Sequence, residues 1–257
     1  DTADYADYLL PATTFVEHPD LYTAYGHYYL QWAEPIVPRM GDCRPNSWIF
    51  KQLAARMQLD DPVFSMTTEE LAAELLDSDH PHVRDITFDG LRKERSIRLH
   101  LPEDFRPYAD GSNFPDRKIR FSPAPSQLEF EERPSENYPL RLISPPGPYI
   151  VNTSLGNLES LIKAAGGEPQ VVVHPEDAAQ AGIEDGQRIQ ISSQSGSILR
   201  RAIVSTDAKC GVVVALGQWW PKLAPDKKSL NELTTERLTD LGGGSTFGNV
   251  TVRIEGA

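Results

Sequence analysis

Six short strand patterns crowd into the second half of this 257-residue chain and restrict what it can fold into. They cover residues 140–144, 171–173, 188–193, 198–204, 211–217 and 249–255. Residues 188–192, RIQIS, alternate polar and apolar side chains, as a strand with one buried face does. Dense strands with only short helices between them predict a closed β-barrel over residues 138–257, in place of a doubly wound parallel sheet.

The segment VHPEDAAQAGIEDGQRIQISSQSGSI, residues 173–198, is the most informative part of this pattern. Gly182 and Gly186 bracket a predicted tight turn, because glycine reaches positive φ at little cost. Ser195 and Gly196 predict a hairpin into the next strand. The segment therefore predicts a short helix, a sharp corner and two strands joined by a hairpin.

Two amphipathic helices are predicted in the first half of the chain. The segments are NSWIFKQLAARM and TTEELAAELL, and in the second Thr67 and Glu70 form a capping box. The apolar residues that share a helical face are Ile49, Leu53 and Met57 in the first and Leu71 and Leu75 in the second. Each helix is expected to pack through that face.

Residues 96–138 change in character. SIRLHL and RKIRFS are typical of short strands, but six prolines separated by polar residues predict an irregular surface connection. We therefore place a domain boundary near Asn137, between parts 1–137 and 138–257. The chain opens without an initiating Met, on a short helix at residues 2–6 and a buried YLLP run, and we expect it to be a piece of a longer protein.

Charge and cysteine content exclude several classes of function. The formal net charge is −12, which argues against binding to nucleic acid or to an anionic membrane. No apolar run approaches the ~20 residues of a membrane-spanning helix, so no membrane insertion is expected. Cys43 and Cys210 have no C-x-x-C spacing, so the chain is not expected to hold an iron–sulfur cluster or a zinc knuckle, and both are predicted to be buried free thiols. The compartment is left open.

The common catalytic motifs are missing from the sequence. There is no G-x-S-x-G elbow, G-x-G-x-x-G fingerprint or Walker loop, which argues against a serine hydrolase, a Rossmann site or a nucleoside-triphosphate site. His80 and His82 resemble a metal-binding pair, but no third ligand stands at a useful spacing. They are predicted to lie in an exposed loop.

Three loops next to the predicted barrel strands are rich in amide, hydroxyl and glycine residues. Their sequences are PPGPYIVNTSLGN, GQWWPKLAPDKKSLNELT and DLGGGSTFGN. A large polar heterocycle needs close backbone approach and side-chain amides that both donate and accept, and these residue types provide both. One such loop is ordinary, but three at comparable strand ends predict a binding site.

The order of several segments resembles the C-terminal portion of a molybdopterin oxidoreductase of the dimethyl sulfoxide reductase family, within its catalytic polypeptide. The segments are TADYADYLLPATTFVEHPDLY, GHYYLQ, GDCRPNSWIFKQLAARM, YPLRLIS, NTSLGN, HPEDAAQAGIEDGQRIQISSQSG, LNELT and DLGGGSTFGNVTVRIE. The resemblance covers most of the chain, is weakest over residues 60–135, and lies in order and spacing more than in any one motif. It implies an α+β fold in two parts. Residues 1–137 would be the end of a third, α/β domain, and 138–257 a double-psi β-barrel that binds molybdopterin guanine dinucleotide.

The resemblance also assigns cofactor-binding residues and no catalytic or metal-ligating ones. They are Asn152, Thr153, Ser154, Gly156 and Asn157 in the first loop, Gln218, Trp219 and Trp220 in the second, Asn231 and Thr234 after it, and Asp240, Phe247 and Asn249 in the last. Glu17, His27 and Gln31 occupy a similar place in the first part, where ordinary hydrogen bonding is an equal alternative. The Gly182–Gly186 turn would be a barrel corner with an architectural role.

The implied chemistry is two-electron redox or oxygen-atom transfer at molybdenum or tungsten. The metal ligand and the iron–sulfur motif of the family belong to earlier domains, and Cys43 and Cys210 do not stand in those contexts. The isolated chain is therefore expected to be inactive and without cofactor, and its expected partners are the upstream domains and an electron-transfer protein. The alternative is a stand-alone double-psi barrel that acts as a binding or interaction module without redox activity.

Overall fold

The computed structural model describes residues 1–121, 132–239 and 242–257. The chain divides into two compact units, one of Asp1–Tyr5 with Pro123–Ala257 and the other of Ala6–Ser122. The predicted domain assignment, with its boundary near Asn137, stays a prediction.

The first unit is built on a closed barrel of six strands. They are β4 (Leu140–Ile143), β5 (Gln170–Val173), β6 (Arg188–Ser192), β7 (Ser197–Val204), β8 (Val212–Ala215) and β9 (Val250–Gly256). The order around the barrel is β4-β8-β5-β7-β6-β9, and β4–β8 and β5–β7 are its parallel pairs. Each predicted strand is present and the predicted closure is confirmed. Closure leaves no sheet edge open to pair with another chain.

The barrel core consists of the alternate side chains that face inward. Val171, Ile189, Ile191, Val213 and Val250 are completely buried. In β7 the buried positions alternate through Ile198, Arg200 and Ala202, so one inward position holds a charged residue. Its partners are described with the site.

The corner and the hairpin predicted in the barrel are both confirmed. Helix α5 (Pro175–Ala181) ends at Gly182, which is left-handed with φ of 65°, and Gly186 has φ of 77°. β6 and β7 pair antiparallel as far as Ser192 opposite Ser197. The other helix of this unit, α4 (Glu159–Ala164), is followed by Gly166 and Gly167 as predicted.

The second unit combines a small antiparallel sheet with three helices. The strands are β1 (Asp20–Thr23), β2 (Tyr29–Ala33) and β3 (Ser96–Arg98), with β2 in the middle. The helices are α1 (Asn46–Arg56), α2 (Thr68–Leu76) and α3 (Phe88–Glu94). Its core is formed by Leu30, Trp32, Ala72, Leu76, Ile86 and Leu91.

The packing faces predicted for α1 and α2 are wrong. Leu53 and Met57 are 40% and 68% exposed, and the buried residue of α1 is Ala54. In α2 Leu75 is 68% exposed, whereas Ala72 and Leu76 are buried in the core of the unit. The apolar stripe of α1 has no cover within the described residues of its unit, and the small side chain of Ala72 shifts the contact face of α2 by one position. The predicted capping box of Thr67 and Glu70 is confirmed.

Other local expectations fail where the apolar pattern was short. Tyr8, Leu9 and Leu10 of the YLLP run are exposed, and the opening helix is a 3-10 helix over Thr2–Tyr5. Residues 117–121 of the RKIRFS segment are not a strand. Cys43 and Cys210 are free as predicted, but Cys43 is half-buried and Cys210 is exposed. Among the described helices, none has the length and apolarity to span a membrane.

Candidate functional site

A cleft of about 700 Å³ lies in the barrel unit, where the loops after β4 and β8 meet. The two strands are parallel neighbours, so both loops leave the same end of the barrel. The backbone N–H of Gly217, after β8, donates to the carbonyl of Pro145, after β4, at 2.9 Å. This bond joins the two loops that form the floor of the cleft.

Six of the predicted cofactor-binding residues line this cleft. They are Asn152, Thr153, Gln218, Asn231, Thr234 and Phe247. Sequence reasoning missed three further hydroxyl residues in the lining, Ser144, Thr235 and Ser245. Each of the three stands beside a predicted residue or at a strand end, and that position was the available signal.

A short 3-10 helix, Leu230–Leu233, positions Asn231 and Thr234. Leu230 and Leu233 are buried in the barrel core, while the hydroxyl of Ser229 accepts a hydrogen bond from the Asn231 backbone N–H at 3.2 Å. The hydroxyl of Thr234 donates to the Asn231 carbonyl at 2.8 Å. The two leucines therefore anchor a turn that leaves the amide of Asn231 exposed.

A tight turn presents Asn152. Its φ is 52°, a left-handed conformation that asparagine tolerates better than most residues, and the backbone N–H of Ser154 donates to the Val151 carbonyl at 2.9 Å. The carbonyl of Thr153 accepts a bond of 2.7 Å from the indole N–H of Trp220. The first and second predicted loops are thereby tied together.

Gly156 and Trp220 form a packing contact outside the cleft lining. A Cβ atom at Gly156 would lie 3.0 Å from Nε1 of Trp220, so the ring depends on a residue without a side chain. The neighbouring Trp219 is buried and lines a second cavity of about 280 Å³, which shares Gly217 with the cleft. These three residues support the cleft walls.

The remaining predicted residues lie away from the lining. Asn249 accepts a 3.0 Å hydrogen bond through Oδ1 from Nη1 of Arg141 on β4. Ser154 and Asn157 are exposed and do not line the cleft. Asp240 lies outside the described residues.

Glu17, His27 and Gln31 belong to the other unit and take part in its local hydrogen bonding. The carboxylate of Glu17 accepts from the backbone N–H groups of Thr14 and Met40 at 2.7 and 2.6 Å, and these bonds lower its pKa. Nδ1 of His27 accepts from the backbone N–H of Tyr29, and Gln31 pairs within the sheet.

A buried ion pair holds the second loop against the barrel. Nη1 of Arg200 lies 3.3 Å from Oδ1 of Asp226, and the two side chains are 4% and 11% exposed. Asp226 also accepts from the Leu199 backbone N–H at 2.7 Å, while Nη2 of Arg200 donates to the Lys228 carbonyl at 3.0 Å. Burial lowers the pKa of Arg200, and Asp226 opposes that effect. Sequence reasoning missed this pair, although a charge within the alternating pattern of β7 was a visible signal.

No side chain that titrates lines the cleft among the described residues. Its polar groups are amides, hydroxyls and backbone, and its apolar ones are proline, leucine and phenylalanine. Neutral amides and hydroxyls can donate to phosphate oxygens and pair with the edge of a heterocycle. They cannot supply an acid, a base or a thiolate metal ligand. The arrangement fits binding of a polar ligand and does not fit acid–base chemistry.

Two family models match the chain. Residues 1–56 match the model described as molybdopterin oxidoreductase, and residues 140–252 match the molydopterin dinucleotide binding domain. The second match contains the whole described cleft lining. This chain belongs to the molybdopterin oxidoreductase family. The dinucleotide-binding match implies a molybdopterin cofactor with molybdenum or tungsten in family members.

Curated relatives extend the match along the chain. A probable oxidoreductase, YoaE, of Bacillus subtilis is 30% identical over 262 residues, which are 99% of this chain and 38% of that protein. A putative dimethyl sulfoxide reductase of Halobacterium salinarum, its catalytic polypeptide, is 24% identical, over 99% of this chain and 32% of that protein. This molybdopterin oxidoreductase segment thus spans less than two fifths of the length of either relative.

A solved structure shares the fold of the segment. Acetylene hydratase from Pelobacter acetylenicus superposes with a TM-score of 0.74 at 18% identity, over 100% of this chain and 39% of that one. At this identity the likeness concerns the fold alone.

Proposed function

We propose that this chain is the cofactor-binding part of a molybdenum or tungsten oxidoreductase and that its cleft holds part of a molybdopterin guanine dinucleotide. The observation that carries the proposal is the meeting of neutral amides and hydroxyls from separate loops at one end of a rigid barrel. Loops on a rigid scaffold can carry a site because the strands hold their ends in place.

The chain's own residues would bind and orient the cofactor. Asn152, Gln218 and Asn231 present amides that donate and accept, and Thr153 and Thr234 present hydroxyls. Phe247, which is exposed at the cleft, offers an aromatic face. When bound, the cofactor supplies the redox chemistry. The described part of the chain contributes no acid or base at this cleft.

The proposal includes other parts of a longer polypeptide. The cleft of about 700 Å³ falls within the ~300–1,000 Å³ range of small-molecule sites, whereas a dinucleotide with a pterin needs more enclosure than one barrel end provides. The metal ligand, any iron–sulfur cluster and an electron-transfer partner would lie outside this chain. The exposed apolar stripe of α1 supports packing against such parts. The double-psi topology and the assignment of the first part of the chain to a third, α/β domain belong to the same proposal.

Cofactor analysis of variants in the full-length parent tests the site. Asn152→Ala and Asn231→Ala each remove an amide from the cleft lining, and each should weaken cofactor binding by about 1–3 kcal/mol, or roughly 5–150-fold in Kd. Metal and pterin content of the purified proteins should fall while the thermal unfolding temperature stays close to that of the parent.

The matched control is Asn113→Ala, which removes an exposed amide from the other unit and should leave cofactor content unchanged. Full metal and pterin loading in both cleft variants would contradict the proposed site and would favour the barrel as a binding module of another kind.

A further inference from the structure

Three side chains of the types that hold transition metals come together on the barrel unit, away from the cleft. His174 precedes α5, Asp177 lies in its first turn, and Cys210 lies in the loop before β8. One ligand atom from each lies within 4.8 Å of the others. We propose that this His–Asp–Cys cluster, with Glu176 beside it, is a zinc-binding site. The proposal does not depend on the proposed cofactor function.

The spacing of the sulfur and the oxygens matches a tetrahedral zinc centre. Sγ of Cys210 lies 3.4 Å from Oδ1 of Asp177 and 3.7 Å from Oε2 of Glu176. Bonds of ~2.3 Å to sulfur and ~2.0–2.2 Å to oxygen at a tetrahedral angle place the two ligand atoms about 3.5 Å apart. The thiol and both carboxylates therefore already stand at the separations of ligands on one ion.

The buried carboxylate is held in position by the backbone. Asp177 is 6% exposed, and its Oδ2 accepts a 2.7 Å hydrogen bond from the Gly211 backbone N–H. That bond leaves Oδ1 directed at Cys210. Hydrogen bonds of this kind orient metal ligands and fix the carboxylate before the ion arrives.

The imidazole of His174 completes the set at a small cost. Nδ1 accepts a long bond of 3.2 Å from the Glu176 backbone N–H. A neutral imidazole has one unprotonated nitrogen, so coordination through either nitrogen gives up this bond. The bond lost is weak, and the nitrogen gained as a ligand is one that zinc favours.

The mixture of donors selects the metal. Calcium and magnesium prefer oxygen alone, whereas sulfur, nitrogen and carboxylate oxygen together suit zinc. Bound there, zinc would join the start of α5 to the loop before β8. With no metal at Cys210, the thiol donates a hydrogen bond to Asp177, and the site exposes an ordinary cysteine.

Metal titration of the chelator-treated 257-residue chain tests the site. Calorimetry should give one equivalent of bound Zn²⁺, and Co²⁺ as a probe should produce a thiolate charge-transfer band in the near ultraviolet. Cys210→Ser should abolish the band. His174→Asn keeps a side chain that can cap α5 and should weaken Zn²⁺ binding by more than about tenfold, since outer-shell partners alone contribute that much.

Cys43→Ser is the matched control, because Cys43 is also a free cysteine but lies in the other unit. It should bind both metals as the unaltered chain does. Asp177 is left intact because its removal would leave the Gly211 N–H without its acceptor. Equal Zn²⁺ affinity in the unaltered chain and Cys210→Ser, or a cobalt band that persists in Cys210→Ser, would overturn the proposal.

Discussion

At the scale of single residues, Arg200 and Asp226 show how a charge is accommodated in an apolar barrel. Arg200 points inward from β7 between Ile198 and Ala202, and it is satisfied by the Asp226 carboxylate and two backbone carbonyls. A buried ion pair often adds little net stability, but loss of one partner leaves a buried charge without compensation. The pair therefore makes the position of the second cleft loop depend on one carboxylate.

Asp226→Asn should destabilise the chain by about 3 kcal/mol or more, because Arg200 stays buried and charged while its counter-ion is gone. The measurement is urea unfolding of the 257-residue chain. Arg200→Met added to Asp226→Asn should recover part of that loss, since methionine fills the space without a charge and the amide oxygen can still accept from the Leu199 N–H.

Glu255→Gln serves as the control for this prediction. It neutralises an exposed pair with Arg253 in the same unit, at 3.8 Å, and should change stability by no more than about 1 kcal/mol. If Asp226→Asn behaves like Glu255→Gln, the buried pair does not hold the loop in the way described.

At the scale of elements, the hairpin between β6 and β7 supports the 3-10 helix that carries Asn231. The hydroxyl of Ser193 donates to the Leu233 carbonyl at 2.9 Å, and a Cβ at Gly196 would lie 2.7 Å from the Glu232 carbonyl oxygen. The hairpin and the helix touch backbone to backbone, so the space for a side chain is absent. The turn residues of the hairpin thereby decide where one wall of the cleft stands.

Gly196→Ala should cost about 1–3 kcal/mol in urea unfolding, because the added methyl group meets a carbonyl oxygen and cannot be relieved by a side-chain rotation. In the full-length parent the same substitution should also lower molybdopterin content, since it displaces the segment that bears Asn231 and Thr234. Gly248→Ala is the comparison, because a Cβ there meets nothing within 4 Å. Identical unfolding curves for the two variants would refute the close contact.

At the scale of the whole molecule, the chain supplies a binding scaffold and lacks side chains for the chemical step at its cleft. The cleft lining holds no titratable group among the described residues, and the chain covers 38% of the length of its Bacillus relative. Oxidoreduction by the parent would then need a metal ligand and an electron path from outside this segment. The segment's contribution would be affinity and orientation.

The purified 257-residue chain, supplied with molybdopterin cofactor, should show no dye-linked oxidoreductase turnover, while the full-length parent should turn over under the same conditions. The reason is the neutral character of the cleft lining. Dye reduction by the isolated chain above the rate of the Asn231→Ala variant of that chain would contradict this expectation.

Sequence alone determined the features that depend on neighbouring residues. The period of two in residues 188–192, glycine at Gly182 and Gly186, and the Thr67–Glu70 capping box each predict a local conformation, and each is present. Loops at the ends of predicted strands also pointed to Asn152, Asn231 and Phe247, which line one cleft. Strand pairing order is not a local property, but the number and density of strands was enough to predict closure.

Tertiary structure alone decided which faces are covered and which side chains meet. The periodicity of α1 predicted a buried face that includes Leu53 and Met57, yet burial needs a partner surface, and no described residue of that unit provides one. Arg200 and Asp226 are 26 residues apart, and Asp177 and Cys210 are 33 apart. Their contacts arise because the barrel closes and brings distant segments together, and a local pattern holds no record of that distance.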